Sequence, residues 1–257
     1  MKKTLIALAV AASAAAVSGS AMAWNEGGTG GEFSVGGTLS PSDTGLVWEV
    51  KTGTPVSNLD ATLDSGDTTV DISIPEDVLV LGIRSVSGGF VGQSGISPQI
   101  TYTNSAGGDA LDIDSFSGGK ANLTLTVNNE SGVQIGELTT KLTAAAMYGY
   151  GTSKASLYAS SSGYAFYGGI PTDSGSIVTY PQTYASGIDS TILDNWSLSS
   201  ATVVSATESS MNDSGNTYEA FYVSALDAGT SLNIELENPL DNATSWVAPL
   251  TITVSYI

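Results

Sequence analysis

The stretch that decides the fold is "WVAPLTITVSYI", residues 246–257. After Pro249, apolar residues at every second position alternate with threonine and serine, and this period of two predicts a β-strand with one apolar face. We expect one edge of this strand to stay open, because the chain ends there and provides no following strand to pair with it. The apolar face consists of Leu250, Ile252, Val254 and Tyr256.

Short alternating segments also occur through much of the rest of the chain. The segment "TTVDISI" at 68–74 has a single apolar face, and the segments at 121–127 and 133–142, joined by "NNESG", predict a hairpin. A strand at 231–237 is followed by a turn and then by the terminal strand, so we expect these two strands to be antiparallel neighbours. Together the segments predict an all-β antiparallel sandwich.

The first 23 residues have the pattern of an export signal. Lys2 and Lys3 precede an apolar run, and "AMA" at 21–23 provides the small residues that a signal peptidase requires. We therefore predict a signal peptide at residues 1–23 and a mature chain that begins at Trp24. The alternative is a retained membrane anchor, for which the apolar run is short.

Composition excludes several classes of protein. The chain has neither cysteine nor histidine, so it cannot form a Ser-His-Asp or Cys-His nucleophile system or an imidazole metal site. Without the leader, five basic residues face 25 acidic ones, and this net charge of −20 argues against nucleic-acid binding. We predict no cofactor and no metal, since Asp109, Asp112 and Asp114 lack the spacing of a calcium loop.

The middle of the chain has a different pattern. Between about 144 and 200 the alternation weakens, and seven of the eleven tyrosines of the chain fall in this range. We interpret the range as an insertion between sandwich strands. Two stretches in it, 153–166 and 187–198, can each form a short helix, the second capped by Asp189 or Ser190.

The predicted mature N-terminus combines a flexible tether with a strand. "NEGGTGGE" at 25–32 contains four glycines, and "FSVGGTLS" at 33–40 then alternates. Such a strand can pair with the open edge of the last strand in a neighbouring molecule, and this head-to-tail contact propagates as a filament. The ordinary alternative is that residues 33–40 form the first strand of their own domain. The predicted donor face is Phe33, Val35, Gly37 and Leu39.

Several motifs taken together resemble the FaeG family, the large cysteine-free subunits of kappa-class chaperone–usher fimbriae. They are the leader "MKKTLIALAVAASA", "GEFSVGGTLSP", Trp48 in "VWEV", "YAFYGGIPT" and the terminal "WVAPLTITVSYI". The penultimate tyrosine, here Tyr256, is the most specific of them. The resemblance implies that residues 41–257 form an incomplete immunoglobulin-like sandwich. The N-terminal extension of another subunit, residues 24–40, would complete it by donor-strand complementation.

The resemblance also implies the partners of the chain. A periplasmic chaperone would fill the groove temporarily, and an outer-membrane usher would exchange it for the next identical subunit on the way to the cell surface. Basic chaperone residues would hold the carboxylate of Ile257 through charge-assisted hydrogen bonds. The residues implied to accept the donor strand and to pair with the chaperone are Leu250, Ile252, Val254, Tyr256 and Ile257.

In this family the major subunit is usually also the adhesin, with an inserted subdomain that binds host glycoconjugates. The tyrosine-rich insertion fits this place, because aromatic faces stack on sugar rings and neighbouring polar groups bond hydroxyls. For each aromatic residue the alternative is a place in the core. The receptor-binding candidates are Tyr150, Tyr158, Tyr164, Tyr167 and Trp196.

We therefore predict a structural subunit of an adhesive fimbria that polymerises by donor-strand exchange, binds host glycans and is not an enzyme. One alternative is a minor fimbrial subunit without receptor binding. A second is a secreted β-sandwich glycosidase, although no carboxylate pair stands out in an aromatic cleft motif. A third is an exported binding module that does not polymerise, which the tethered N-terminal strand argues against.

Overall fold

The structure, a computed structural model, describes residues 47–257. The predicted signal peptide at 1–23 and the predicted donor extension at 24–40 lie outside the described residues. Both stay predictions, and so does the start of the sandwich at residue 41.

The described residues fold mainly as β-structure, which confirms the predicted all-β class. Helices are minor: α1 spans Pro181–Ile188, and two 3₁₀ helices span Ser190–Leu193 and Leu198–Ser200. The strands of the described part are β1 (Trp48–Thr52), β2 (Thr69–Ser73), β3 (Val78–Ser85), β4 (Phe90–Val91), β5 (Pro98–Asn104), β6 (Leu111–Ser117), β7 (Lys120–Asn129), β8 (Gln134–Tyr150), β9 (Ser153–Ser156), β10 (Thr202–Val203), β11 (Thr217–Leu226), β12 (Ser231–Leu236), β13 (Trp246–Val247) and β14 (Leu250–Tyr256).

Most of the strands belong to one large sheet that is built around β8. Its main path runs in the order β1-β3-β11-β8-β12-β2. The length of β8 lets it pair with β12 and β11 along one edge and with β7 and β9 along the other. The predicted hairpin is confirmed as β7 and β8. The side-chain oxygen of Asn129 closes its turn by accepting hydrogen bonds from the backbone N–H groups of Ser131 and Val133, both at 3.0 Å.

The last strand lies in a second, smaller sheet. β14 pairs antiparallel with β5 over its whole length, from Leu250 opposite Asn104 to Tyr256 opposite Pro98. The prediction that the terminal strand neighbours the strand at 231–237 is therefore wrong, because β12 pairs with β2 and β8. The connection between β12 and β14 contains β13, which pairs with β7, and this detour prevents a simple hairpin.

The small sheet packs on the large one across an apolar core. The hydroxyl of Tyr102 on β5 lies 2.7 Å from that of Tyr222 and 2.8 Å from that of Ser224, both on β11. The ring of Phe166 stacks on Tyr222 and meets the indole of Trp48 edge-on, with ring centroids 5.5 and 5.6 Å apart. Aromatic rings and buried hydroxyls thus hold the two layers together without a disulfide.

The central region differs from its prediction in detail. Residues 144–150 continue β8 inside the sheet, and their alternation is weak because most of them are buried on both faces. The stretch 153–166 forms β9 and turns, so the helix predicted there is wrong. A 3₁₀ helix at Ser190–Leu193 does lie within the second predicted helix, and the Asp189 side chain caps it. Sequence reasoning missed α1.

The helical segment, residues 181–200, covers the face of the large sheet that points away from the main core. Phe221 and Val223 of β11 point to this side, whereas Tyr222 between them faces the main core. Trp196 meets Phe221 edge-on, with ring centroids 5.1 Å apart, and Ile192 joins the same cluster. A second, smaller core therefore fixes the helices to the sheet.

Basic side chains reinforce this attachment. Four of the five basic residues of the predicted mature chain take part. Three of them contact the helical segment directly, and the fourth contacts the carboxylate of Asp227, which accepts a hydrogen bond from the Tyr184 hydroxyl of α1. Most of the scarce positive charge thus serves docking of this segment. The contacts are Lys51 with Asp189, Arg84 with Asp194 (3.3 Å), Lys120 with Asp227 (2.7 Å) and Lys154 with Gln182 (2.9 Å).

Candidate functional site

The open edge of β14 is the first element of the site. β5 occupies one edge, and Ile257 extends this ladder through two backbone hydrogen bonds with Ser97, both 3.2 Å long. Along the other edge, no strand within residues 47–257 pairs with β14. Because backbone N–H and C=O groups require partners, such an edge can accept an added strand.

The side chains of β14 alternate as the sequence predicted. Leu250, Ile252 and Val254 are half-buried and pack against the main core, whereas the threonines between them are exposed. Tyr256 remains 39% exposed, and its partial burial raises the pKa of its hydroxyl. The inward face of β14 therefore still has apolar area that an incoming strand can cover.

A groove of about 1400 Å³ runs beside the first half of β14. Leu250 and Ile252 line it together with apolar side chains from the large sheet. The groove thus lies next to an open strand edge and has an apolar lining. Apolar side chains that enter it are removed from contact with water, which favours their binding. Lining residues from β2, β8 and β12 are Ile72, Leu138, Leu232 and Ile234.

The connection between β1 and β2 lines the same groove. We call residues 53–67 the strap; within it the structure assigns neither strand nor helix. Leu59 and Leu63 are half-buried and pack against the main core, and the other side chains of residues 54–67 are exposed. The groove is therefore bounded partly by a segment without regular structure.

The residues predicted to accept the donor strand lie on and directly after β14, within the described residues. Ile257, directly after the end of β14, is half exposed. The predicted donor residues Phe33, Val35, Gly37 and Leu39 lie outside residues 47–257 and stay predictions.

The structure does not gather the five receptor-binding candidates on one surface. Trp196 is buried in the second, smaller core, against Phe221. Tyr164 and Tyr167 are half-buried and pack against the main core on the other face of the large sheet. Tyr158 is half-buried as well, and Tyr150 has the largest exposed fraction, 38%.

Tyr150 belongs to a tyrosine cluster that sequence reasoning missed. Its ring lies 5.4 Å from that of Tyr218 on β11 and 6.1 Å from that of Tyr148, also on β8. Burial, followed by the proximity of the other two tyrosines, raises the pKa of Tyr148. Period-two spacing in "YGY" could have indicated that Tyr148 and Tyr150 share a face.

A second surface feature lies beside α1. Tyr180, at its N-terminal boundary, is 73% exposed and lines an open groove of about 560 Å³ together with Tyr184 and Asp77. The Tyr184 hydroxyl donates to Asp227 over 2.6 Å. Burial and this hydrogen bond raise the pKa of Tyr184.

Asp227 is the electrostatic centre of this region. Its carboxylate accepts hydrogen bonds from Lys120 and Thr143, both at 2.7 Å, as well as from Tyr184. Burial alone would raise the pKa of Asp227, but these hydrogen bonds outweigh burial and lower it. The carboxylate therefore stays ionised and links β7, β8 and α1.

None of the helices in the described part of the chain is sufficiently long and apolar to span a membrane. No group of three or more acidic, histidine or cysteine side chains within residues 47–257 is placed to hold a metal ion.

Comparison with known proteins identifies the class. All of residues 1–257 match the family described as "Fimbrial, major and minor subunit". The chain is 29% identical over 291 residues to the K88 fimbrial protein AB of Escherichia coli, and 30% identical over 298 residues to the F41 fimbrial protein of Escherichia coli. Each alignment covers 100% of both chains. The chain therefore belongs to this family of fimbrial subunits.

Membership of the family confirms the resemblance found in the sequence. The family is one of structural fimbrial subunits and not of enzymes, so the chain is a structural subunit that forms part of a surface fimbria. The family description covers both major and minor subunits, and both roles stay open for this chain.

Proposed function

We propose that this subunit polymerises by donor-strand exchange, with residues 33–40 of one copy entering the groove beside β14 of the next. The open edge of β14 beside the 1400 Å³ apolar groove is the observation that carries the proposal. Backbone hydrogen bonds along that edge provide affinity, and the alternating side chains fix the register.

The predicted donor segment has the chemistry that this groove requires. Phe33, Val35 and Leu39 fall in one phase of a strand, so all three can point into the groove while the residues between them face solvent. At roughly 1.5–3 kcal/mol per side chain, their burial would contribute on the order of 5–8 kcal/mol before entropy costs. Gly37 in the same phase suits a shallow point of the groove.

The route to the polymer follows from the same edge. An unpaired strand next to an apolar groove aggregates unless it is covered, so a periplasmic chaperone would cover it after signal-peptide cleavage. The chaperone strand would pair with β14, and basic chaperone residues would bind the carboxylate of Ile257, a residue that is half exposed. The outer-membrane usher would then replace the chaperone with the next subunit, and the head-to-tail contact would propagate.

Relocating the donor strand tests the acceptor groove. When residues 24–40 are removed from the N-terminus and fused after Ile257 through a short loop, we expect a stable monomer with a higher Tm than the unfused mature chain. The control is the same fusion with Val35→Asp and Leu39→Asp, which should lose this gain. A fused form that unfolds no later than the unfused chain would place the groove elsewhere.

Deleting the donor strand tests the polymerisation itself. A chain that lacks residues 24–40 should still form a complex with the chaperone, because β14 and its groove are intact. It should form no filaments in electron micrographs of exporting cells. Filaments of normal length from this deletion would overturn donor-strand exchange for this subunit.

We further propose that the subunit binds host glycans through the tyrosine cluster of Tyr148, Tyr150 and Tyr218. The supporting observation is Tyr150, a partly exposed ring held in place by two neighbouring rings. Exposed aromatic faces of this kind stack on the apolar faces of sugars.

Glycan-array binding of the assembled fimbria tests this second proposal. Tyr150→Ala should lower binding strongly, and Tyr180→Ala, which removes an exposed tyrosine from the separate groove beside α1, is the matched control. Loss of binding with Tyr180→Ala alone would move the site to that groove. A fimbria that binds no glycan on the array would contradict the adhesive role.

A further inference from the structure

The strap, residues 53–67, borders the groove that the proposed donor strand would enter. It lines the groove together with Leu250 and Ile252 of β14. We propose that the strap shields the groove in the unpolymerised subunit through Leu59 and Leu63, and that an incoming donor strand displaces it. The inference rests on the proposed donor-strand exchange and adds a device that controls its rate.

The side chains of the strap divide into two groups. Leu59 and Leu63 are the two residues of 54–67 that are not exposed, and both pack against the main core. Val56, the other large apolar residue of the strap, is 42% exposed. The strap therefore covers apolar groove surface at two points and leaves the remainder of its side chains in water.

The backbone of the strap is held at its ends. The N–H of Gly53 donates to the Val80 carbonyl over 3.1 Å, and just beyond the other end the N–H of Leu236 donates to the Thr68 carbonyl over 2.7 Å. Between these anchors, residues 54–63 make no hydrogen bond or ion pair with any residue of the described chain. Moving residues 54–63 thus breaks no backbone hydrogen bond to any other residue of 47–257.

These two properties make displacement favourable once a strand is available. The strap contributes two half-buried leucines and no pairing with β14. A donor strand contributes the apolar side chains of Phe33, Val35 and Leu39 together with a backbone ladder along β14. The contacts of Leu59 and Leu63 exist in the empty subunit and are lost before the donor strand is bound. The strap therefore slows the entry of the donor strand but makes no contact that belongs to the final complex.

Uptake of a synthetic peptide tests this order of events. The mature chain is kept at a concentration at which size-exclusion chromatography shows a monomer, and a fluorescent peptide of residues 31–41 is added. Replacing the two leucines by L59S/L63S should accelerate peptide uptake about tenfold or more, because it removes the contacts that hold the strap against the groove. V56S, which removes an exposed apolar side chain from the same strap, should change the rate less than twofold.

A single thiol gives an independent readout that does not require the double variant to be stable. The chain has no cysteine, so Leu63→Cys carries the one thiol of the protein. Saturation with the 31–41 peptide should raise the reactivity of this thiol several-fold, since the side chain at position 63 then moves into water. Val56→Cys should react at the same rate with and without peptide.

The outcomes separate the two proposals. If the wild type, V56S and L59S/L63S take up the peptide at the same rate and Leu63→Cys is not unmasked, the strap has no shielding role although donor-strand exchange stands. If none of the variants takes up the peptide, the proposed exchange itself is contradicted. Faster uptake by L59S/L63S with unmasking of the thiol establishes the strap as a removable cover.

Discussion

The hydroxyl of Tyr102 on β5 lies 2.7 Å from the hydroxyl of Tyr222 on β11, buried between the two sheets. Ser224 approaches the same Tyr102 oxygen at 2.8 Å, and the Tyr222 hydroxyl donates to the Gly169 carbonyl at 3.1 Å. This buried chain of hydroxyls joins β5, the partner of β14, to the large sheet. The position of the open edge thus depends on contacts made far from it in sequence.

The hydroxyl chain predicts a loss of stability in alkali. Burial raises the pKa of Tyr102 to about 12 and also raises the pKa of Tyr222 well above its ordinary value. The unfolded chain releases these protons near pH 10, so the free energy of unfolding should fall as the pH rises from about 10 to 12. In urea titrations, Tyr102→Phe should lower the free energy of unfolding by about 1 kcal/mol at pH 8. Above pH 10, the free energy of unfolding of this variant should fall less than that of the wild type.

The matched control for this prediction is Tyr150→Phe, which removes a partly exposed hydroxyl outside the interface between the sheets. Its unfolding free energy should follow the wild type across the same pH range. Equal pH dependence of all three proteins would show that the hydroxyl chain does not set alkaline stability.

The Asp227 carboxylate predicts the opposite dependence in acid. Burial raises the pKa of Asp227, but hydrogen bonds from Lys120, Tyr184 and Thr143 outweigh burial and lower it. The stabilising contribution of Asp227 is therefore present above about pH 4 and disappears as the pH falls through the lowered value. Asp227→Asn should cost about 1–3 kcal/mol at pH 7. Below pH 4 the variant and the wild type should converge in urea titrations, and a constant difference between them down to pH 2 would contradict this origin.

Two glycines separate the cost of steric contact from that of backbone strain. Both Gly168 and Gly107 have positive φ, 85° and 91°. A Cβ on Gly168 would lie 2.1 Å from the Ile100 carbonyl oxygen, whereas a Cβ on Gly107 meets no atom within 4 Å. Gly107→Ala should therefore cost about 1–2 kcal/mol from the left-handed backbone alone. Gly168→Ala should cost clearly more in the same thermal unfolding assay, and equal costs would contradict the close packing of this turn on β5.

Neighbouring residues of β14 give a test of its two faces. Ile252 is half-buried towards the groove and Thr253 is exposed. Ile252→Ser should lower both the Tm of the subunit and the amount of polymer formed, because it removes apolar lining from the groove. Thr253→Ser should leave both close to the wild-type values. If Thr253→Ser lowers the amount of polymer as much as Ile252→Ser, the groove does not receive the donor side chains.

The central region, residues 144–200, contains the features that the sequence pattern did not predict. Polar–apolar alternation indicates a strand when one face meets water, but residues 144–150 of β8 are largely covered on both faces and so lack that signal. α1 was missed, although Pro181 at its first position is a helix-start signal. Trp196 was a receptor-binding candidate with a core position as the alternative, and it lies in the second, smaller core, because which aromatic residues are buried depends on how the helices pack on β11.

Sequence alone determined the class of the protein and the character of its last strand. The period of two in residues 250–256, the absence of cysteine and histidine, and the family motifs required no coordinates, because they depend on neighbours along the chain. Tertiary structure alone decided that β14 pairs with β5 instead of β12 and that its other edge is unpaired within the described residues. It also decided that Leu59 and Leu63 pack against the main core and line the groove beside β14. These facts depend on which distant segments meet across the two sheets, and local periodicity does not encode that choice.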